Sequence, residues 1–508
     1  MAVPGHGLPY SVYDCIMTSN VDGLFPAPSL PPSHLSPQRY PGANLESLAA
    51  LQDVLKDNHQ RYHIFFNESR FHNHITHRAL AIYALGGSAA VIRHYYERDS
   101  RMQRPVVQSP EPITEENFVD HLGDENFYQA YVNFFSKQVS EKGSARILEE
   151  FVFSEKYNFQ KGREASTQPE MLAHFFSGLA HPLIHVGYGV EFGLKGMFVE
   201  GLALAAVHHV QTLPSSLFAP SSTNTMEHIV NRLSSFALDT PANTNTPVVS
   251  KTSGVHAFDI AARILNDDRL YRRTPTDFVN EFMEMFAENS PMVMEYARQW
   301  TVDLNNPGEI ERKMEELVWL SSLVYGVGGL TASGFQADFF LMHLVTSSIF
   351  LPSLIAYLSP HAQVLLLRGY LHTVLTWLTI RGPPALNIKS FMTTTSVEPS
   401  IPTTLTSKTP LTTETTPTPN PFLPILQSAI AHPIEHLIKV QRTFAHFDTL
   451  YGTRSAGYFK GTELKDAELL DGSLFLRASL LTADHVGWVR EGKEATQFSF
   501  KGFFKSDK

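Results

Sequence analysis

The sequence predicts a mainly α-helical fold: a single large helical domain with two long irregular insertions. Apolar residues recur at the three-to-four-residue spacing of a helix through most of the chain between residues 45 and 450. Strand signals are few, and no alternating βαβ series is present. The chain has 508 residues, 43% of them hydrophobic and 18% charged, which is the composition of a globular protein with ample sequence for a core.

Taken in order, residues 1–44 are rich in Pro, Ser and Gly without a sustained period and are expected to form a flexible N-terminal arm. The helical domain is placed at residues 45–508. Residues 45–63 read as its first helix, and the run 71–77 leads into a second at 79–96. Residues 105–112, bounded by prolines, are a break. Thr114 is expected to start the next helix, with Glu115 and Glu116 in its first turn where acidic side chains suit the helix dipole. Helical patterning continues over 130–153 and from 168 to His209. A surface insertion is expected at about 214–254, with a short helix at 226–238. Helices are then expected at 256–265, 276–301, 309–325, 337–357 and 362–380, the last stopped by Arg381-Gly-Pro-Pro384. The Thr- and Pro-rich stretch within about 390–424 cannot supply a packed core and reads as the second insertion. The last helix of interest is placed at 425–450.

A net charge of −10 and an isoelectric point near 6.1 argue against a nucleic-acid partner, which would require a concentrated basic face. One cysteine, Cys15, leaves no internal disulfide framework and no cysteine-rich zinc site. With no basic, apolar leader at the N-terminus, a cytoplasmic location is expected. Residues 339–358 carry no formal charge over about the length of a membrane span, but they include His343, several hydroxyls and Pro352 and follow Asp338 directly. A buried core helix is expected there, not a span.

Histidines supply the chemistry. His181 and His185 stand four residues apart, so a helix presents both from one face, and His174 extends that stripe by two turns. The pattern His-Pro-x-x-His recurs at His432, Pro433 and His436. His74 and His77 are three apart, and His343 stands alone on a very apolar helix. On one continuous last helix His432, His436, Lys439 and His446 would fall within about 80° of one another. Helices deliver metal ligands in such pairs, and imidazole binds iron, zinc or copper through a neutral nitrogen. A lone histidine in an apolar helix, such as His343, is more often a core residue with one hydrogen-bond partner, and His72 and His446 read as groups outside the ligand set. Lys439 has two readings. Glu435 lies four residues earlier, in the order that favours a surface ion pair. Facing the histidines instead, the amine would have to be deprotonated, or carboxylated to a carbamate. Gly187, Gly189 and Gly193 have the wrong spacing and a helical context for a dinucleotide loop. They are expected to break a helix and turn Tyr188 and Glu191 toward a pocket.

At these residues the chain resembles the questin oxidase-like family. The carrying segments are FHNHITH (71–77), YALG (83–86), HPLIHVGYGVEF (181–192), DFFLMHLVTS (338–347), RGPP (381–384) and HPIEHLIKVQR (432–442). The resemblance implies an oxygenase of fungal secondary metabolism that opens anthraquinone-type polyketides by Baeyer–Villiger-type oxidation with reduced nicotinamide, so NADPH is expected as a cofactor. No Rossmann fingerprint for a flavin enzyme is present, and the histidine set points to a non-haem iron(II) that activates dioxygen. The expected ligands are His74, His181, His185, His343 and Lys439, with His77 and His436 next in line. Glu191 or Tyr188 is the expected base. The expected partners are an aromatic polyketide, held in a flat apolar pocket, and dioxygen. A metal-dependent hydrolase or lyase, and a non-catalytic helical ligand-binding protein, are the competing readings.

Overall fold

Helices α1 (Leu45–Arg61), α2 (Ile75–Ala84), α3 (Ala89–Asp99), α4 (Tyr128–Lys142), α5 (Ser144–Leu148), α6 (Met171–Phe192) and α7 (Lys195–Val207) make up the first part of a computed structural model of the chain. They are followed by α8 (Ala257–Leu265), α9 (Phe278–Ala297), α10 (Glu309–Gly329), α11 (Phe339–Ser348), α12 (Leu351–Ile355), α13 (Pro360–Ile380), α14 (Ile388–Thr394), α15 (Phe422–Ile430), α16 (Glu435–Tyr451) and α17 (Ser473–Val486). The structure describes residues 21–164, 167–210, 217, 254–271, 274–400 and 420–504. Among these, the only strands are β1 (Leu330–Thr331) and β2 (Gly334–Phe335), an antiparallel pair of two residues each. The mainly α fold read from the sequence is the fold observed.

Apolar burial organises the packing. α7 is buried along its whole length except Lys195, and it packs against both α6 and α4. The close approach of α6 and α7 needs bare backbone. A Cβ on Gly189 would meet the Phe198 nitrogen at 2.6 Å, and one on Gly201 would meet the Val186 nitrogen at 2.6 Å. α9 packs on α13, α10 on α11, and α16 on α17, and the buried apolar side chains form one continuous cluster. Four elements then converge: α6 packs on α2 and α11, and α16 on α2 and α11.

Several boundaries differ from the sequence expectations, each for a local reason. The N-terminal arm is packed from residue 21 onward. Phe25 is fully buried against Gly196, the Ser36 hydroxyl lies 2.8 Å from that of Ser353, and the Tyr40 amide donates to Ala84 at 2.7 Å. Thr114 starts no α-helix. Its hydroxyl and amide engage Asn117 in a turn, and only a 3₁₀ turn, Phe118–His121, follows before Gly123. Left-handed Gly143 (φ 83°) divides the run at 130–153, and the segment Glu149–Phe153 is a π-turn. The expected helix at 425–450 is two helices, because Pro433 has no amide to continue α15. Gly187 and Gly189 lie inside α6 and do not break it; they serve packing, a Cβ on Gly187 falling 2.4 Å from Phe350. Residues 339–358 fold as buried α11 and α12, and no helix among the described residues is long and apolar enough to cross a membrane. Cys15, the short helix expected at 226–238, nearly all of the first insertion and 401–419 of the second lie outside the described residues; the edges of the second insertion are α14 and α15.

One buried ion pair ties the core to the element bearing His343. Asp338 caps α11, accepting from the Phe340 and Leu341 amides at 3.0 Å each, and its other oxygen receives Arg381 Nη2 at 2.5 Å. Arg381, fully buried at the end of α13, lies 4.3 Å from the Phe278 and Phe340 rings and also donates to Phe500 O at 2.9 Å. Asp338→Asn keeps the cap but leaves the guanidinium charge buried and uncompensated. It is expected to lower unfolding stability in urea by about 3–5 kcal/mol; a loss under about 1 kcal/mol would show that the pair does not hold this end of the molecule.

Candidate metal centre

Four imidazoles from the four converging helices form a closed ring. Neighbouring ring centroids are 5.0 Å apart for His74 and His181, 5.0 Å for His181 and His343, 5.0 Å for His343 and His436, and 4.6 Å for His436 and His74. His74 sits at the N-cap of α2, where the Asn73 side chain accepts from the Ile75 amide and reaches α1 through Asn58. His343 lies one turn into α11. His436 is the second residue of α16, and Arg78 of α2 fixes the turn before it by donating to His432 O at 2.9 Å and Pro433 O at 2.6 Å. His181 follows a break in α6 in which Gly178, Leu179 and Ala180 are all left-handed, with φ of 55°, 60° and 59°. Pro182 is tolerated because it falls in the first turn after that break.

Three of the four imidazoles have an oxygen partner for Nδ1. His181 Nδ1 donates to Gly178 O at 2.5 Å, His343 Nδ1 to Phe339 O at 2.7 Å and His436 Nδ1 to Glu435 Oε1 at 3.1 Å, while His74 Nδ1 lies 3.7 Å from the same carboxylate oxygen. In the neutral rings this leaves Nε2 of His181, His343 and His436 as a bare lone pair. His343 Nε2 and His436 Nε2 are buried and have no partner, and His74 Nε2 and His181 Nε2 face each other at 2.8 Å. Two lone pairs at that distance repel, so either a proton on one of the two nitrogens or a cation lies between them. Ligand atoms of His74, His181 and His436 all fall within 4.8 Å of one another. A carbonyl or carboxylate on the far nitrogen is the arrangement that orients metal-binding histidines, and the donor set fits a divalent transition metal.

Lys439, one turn after His436, is not on the surface. It is 4% exposed, and its Nζ is buried without a partner. Burial pushes its ammonium down to about 7, so the surface ion pair with Glu435 is corrected. Burial, reinforced by nearby imidazoles and Lys439, holds His74, His181 and His343 well below the ordinary histidine value and brings His436 down to about 4. Glu435, despite its own burial, is held below the usual carboxylate range by His436 and Lys439.

The structure therefore brings together four of the five expected ligands: His74, His181, His343 and Lys439. His185 is the correction. It lies one turn deeper on α6 and both its nitrogens are taken, Nδ1 by His77 Nε2 at 3.0 Å and Nε2 by Glu200 Oε2 at 2.9 Å. His436, next in line among the expected ligands, stands in the ring of four. His77 lies outside the ring of four, 5.7 Å from His74 and 6.3 Å from His181 between centroids. The expected bases are also placed elsewhere. Glu191 is ion-paired with Arg442, and Tyr188, kept a phenol by burial, is stacked on His77 and packed on Phe350. His174 leaves the stripe because the left-handed break intervenes; its Nδ1 bonds His208 O. His432 and His446 bond Val486 O and Leu35 O, away from the ring. His72 packs flat on His181, with centroids 3.8 Å apart. A surface cleft of about 720 Å³ lined from residues 108–116 and 129–138 contains none of these side chains. Sequence reasoning missed Glu200. Its signal was a lone carboxylate in the otherwise apolar helix that begins at Lys195.

The profile of the questin oxidase-like family matches residues 71–444. The chain is 26% identical over 371 residues to a questin oxidase of Aspergillus terreus, covering 72% of this chain and 76% of that one. It is 26% identical over 371 residues to the Baeyer-Villiger monooxygenase dmxR6 of a Cryptosporiopsis species, covering 71% and 76%. It is 25% identical over 321 residues to the oxidoreductase AflY of Aspergillus parasiticus, covering 61% and 58%.

The buried imidazoles make the metal-free protein acid-sensitive. A histidine whose folded value lies below its ordinary 6.5 binds more protons when unfolded, so it contributes stability above pH 6.5 that is lost progressively as pH falls toward the folded value. Glu170 and Asp448, raised to about 7 and 6, and Asp99 and Glu191, also raised by burial, oppose this but are fewer than the lowered imidazoles. After treatment with chelator, the melting temperature is expected to fall steadily between pH 7 and pH 4, each buried imidazole contributing up to about 1.4 kcal/mol per pH unit. A melting temperature that is flat or rising toward pH 4 would contradict the neutral ring.

Proposed function

The chain belongs to the questin oxidase-like family and is an oxidoreductase, and from that premise we propose that it inserts oxygen from dioxygen into an anthraquinone-type polyketide ring and so opens it, at a non-haem iron(II) held by His74, His181, His343 and His436. The observation that carries this reading is the closed ring of four imidazoles, three of them buried and His74 partly so, with Nδ1 of His181, His343 and His436 directed to oxygens. Iron bound there would supply the activation of dioxygen that side chains alone cannot provide.

The chain's own residues do the remaining work. Four neutral imidazoles bring no compensating charge, so Glu435, at the edge of the ring and 3.1 Å from His436, offsets part of the charge of a divalent ion. Lys439 Nζ completes the donor set either as a neutral amine or as a carbamate, formed when the amine bonds to the carbon of CO₂ and releases one proton. Phe339 shields the site from water: its ring is 4.6 Å from His343, 5.0 Å from His436 and 4.5 Å from Phe500. A dry site strengthens every electrostatic contact within it. The relatives' printed names include questin oxidase and Baeyer-Villiger monooxygenase, and they favour a flat polyketide substrate for this chain.

Two stoichiometries fit. In a Baeyer–Villiger-type reaction one oxygen atom enters the ring and NADPH with a proton carries the other to water. In ring cleavage of the dioxygenase type both atoms enter the product and no NADPH is consumed. The ratio of NADPH to dioxygen consumed separates them, and turnover without dioxygen uptake would sink the oxygenase reading in favour of a hydrolase or lyase.

Expressed with iron supplied, the purified protein is expected to hold about one iron per chain by elemental analysis. His343→Ala and His436→Ala should each reduce that content at least about fivefold, because each removes one of four neutral donors, whereas His446→Ala should leave it unchanged. Unchanged iron in both of the first two variants would refute the ligand set.

A further inference from the structure

Next to the ring runs a second set of side chains that ligand geometry does not use. His77 Nε2 lies 3.0 Å from His185 Nδ1, His185 Nε2 lies 2.9 Å from Glu200 Oε2, and Glu200 Oε1 lies 2.6 Å from His59 Nδ1. The chain runs from α2 through α6 and α7 to α1, and His77, His185 and Glu200 are at most 2% exposed. Glu200 is held as a carboxylate at about 2: its burial would raise it, but hydrogen bonds from His185 and His59 outweigh that.

An ionised carboxylate only accepts, and this fixes the two protons that face it. His59 must present Nδ1–H to it and His185 must present Nε2–H. A neutral His185 then has a bare Nδ1, which accepts from His77 Nε2–H. His77 is left with a bare Nδ1, and that atom is buried with no partner among the described residues. The alternative, a charged His185, would turn His77 Nδ1 into an orphaned donor and place an imidazolium beside the ring. Tyr188 does not satisfy the atom, since its ring is stacked on His77 at an interplanar angle of 24° and does not meet it edge-on. A buried acceptor left unpaired carries its full desolvation penalty, and three hydrogen-bonded residues hold it in that state beside the ring.

We propose that His77 is a substrate-binding residue whose bare Nδ1 accepts a hydrogen bond from a phenolic hydroxyl of the substrate, in a tautomer set by His185, Glu200 and His59. The inference rests on the anthraquinone reading given above. It adds a specificity: a free hydroxyl fits, because it donates, whereas a quinone carbonyl, a phenolate or a methyl ether has no hydrogen to give. Glu200 acts only through His185, so its role is positioning.

Two measurements test this on the purified, metal-free chain. In ¹⁵N spectra of the histidine rings, His77 and His185 are both expected as the Nε2–H tautomer; His77 carrying its hydrogen on Nδ1 would overturn the proposal. In the second, 2-hydroxyanthraquinone and 2-methoxyanthraquinone are titrated against tryptophan fluorescence. The phenol is expected to bind about tenfold more tightly than its ether, and His77→Phe should bring that ratio close to one. Equal binding of the two by the wild-type protein, or a preference that survives in His77→Phe, would overturn the role of His77 alone. If neither compound bound while the His77 tautomer was as expected, the anthraquinone reading would fall, and this assignment with it.

Discussion

Desolvation of titratable groups is the constraint on which the rest of the molecule depends. Four imidazoles and a lysine amine meet where only the edge of His74 reaches the surface, and no two of them can be charged together at a tolerable cost. Each histidine is therefore kept neutral and its Nδ1 is directed to an oxygen: Gly178 O, Phe339 O or the Glu435 carboxylate. What remains is unpartnered nitrogen on His343, His436 and Lys439 beside the facing Nε2 atoms of His74 and His181, a set that one cation would satisfy together. The same economy governs the neighbouring chain, where a single buried carboxylate, Glu200, sets the protons on His59, His185 and His77.

Holding such a site open against collapse falls to the termini of the helices. His74 is an N-cap, His181 lies in the first turn after the break in α6, and His436 is the second residue of α16. Helix N-termini carry partial positive charge, which further disfavours imidazolium and favours the Glu435 carboxylate at the edge. Two arginines lock these ends in place. Arg78 joins α2 to the turn before α16, and Arg381 grips the cap of α11 through Asp338. That explains why RGPP and the aspartate before FFLMH, which contain no candidate ligand beyond His343, accompany the histidine segments in the sequence.

Much of this was legible from residue order alone. The helical class, the packed nature of residues 339–358, and the joining of His74, His181, His343 and Lys439 followed from periodicity, ligand chemistry and resemblance. What was hidden depends on backbone and on depth. Three successive left-handed residues at 178–180, two of them not glycine, have no local signal, so His174 looked like a continuation of a stripe that the chain breaks. His185 and His436 have the same spacing from a His-Pro pair. Only the packing of α7, which brings Glu200 to His185, decides that the first is tied to a carboxylate and the second is free for the ring. The reading of 425–450 as one helix also failed because Pro433 makes two, yet it put His436 and Lys439 on one face, and that survives because both lie within α16.

Anomalous diffraction at the iron absorption edge, from crystals of protein expressed with iron, tests the centre most directly. One strong peak is expected within bonding distance of Nε2 of His74, His181, His343 and His436, with density continuing to the Lys439 side chain. A peak at the His77–His185–Glu200 chain, or none inside the ring in protein that retains iron, would contradict it.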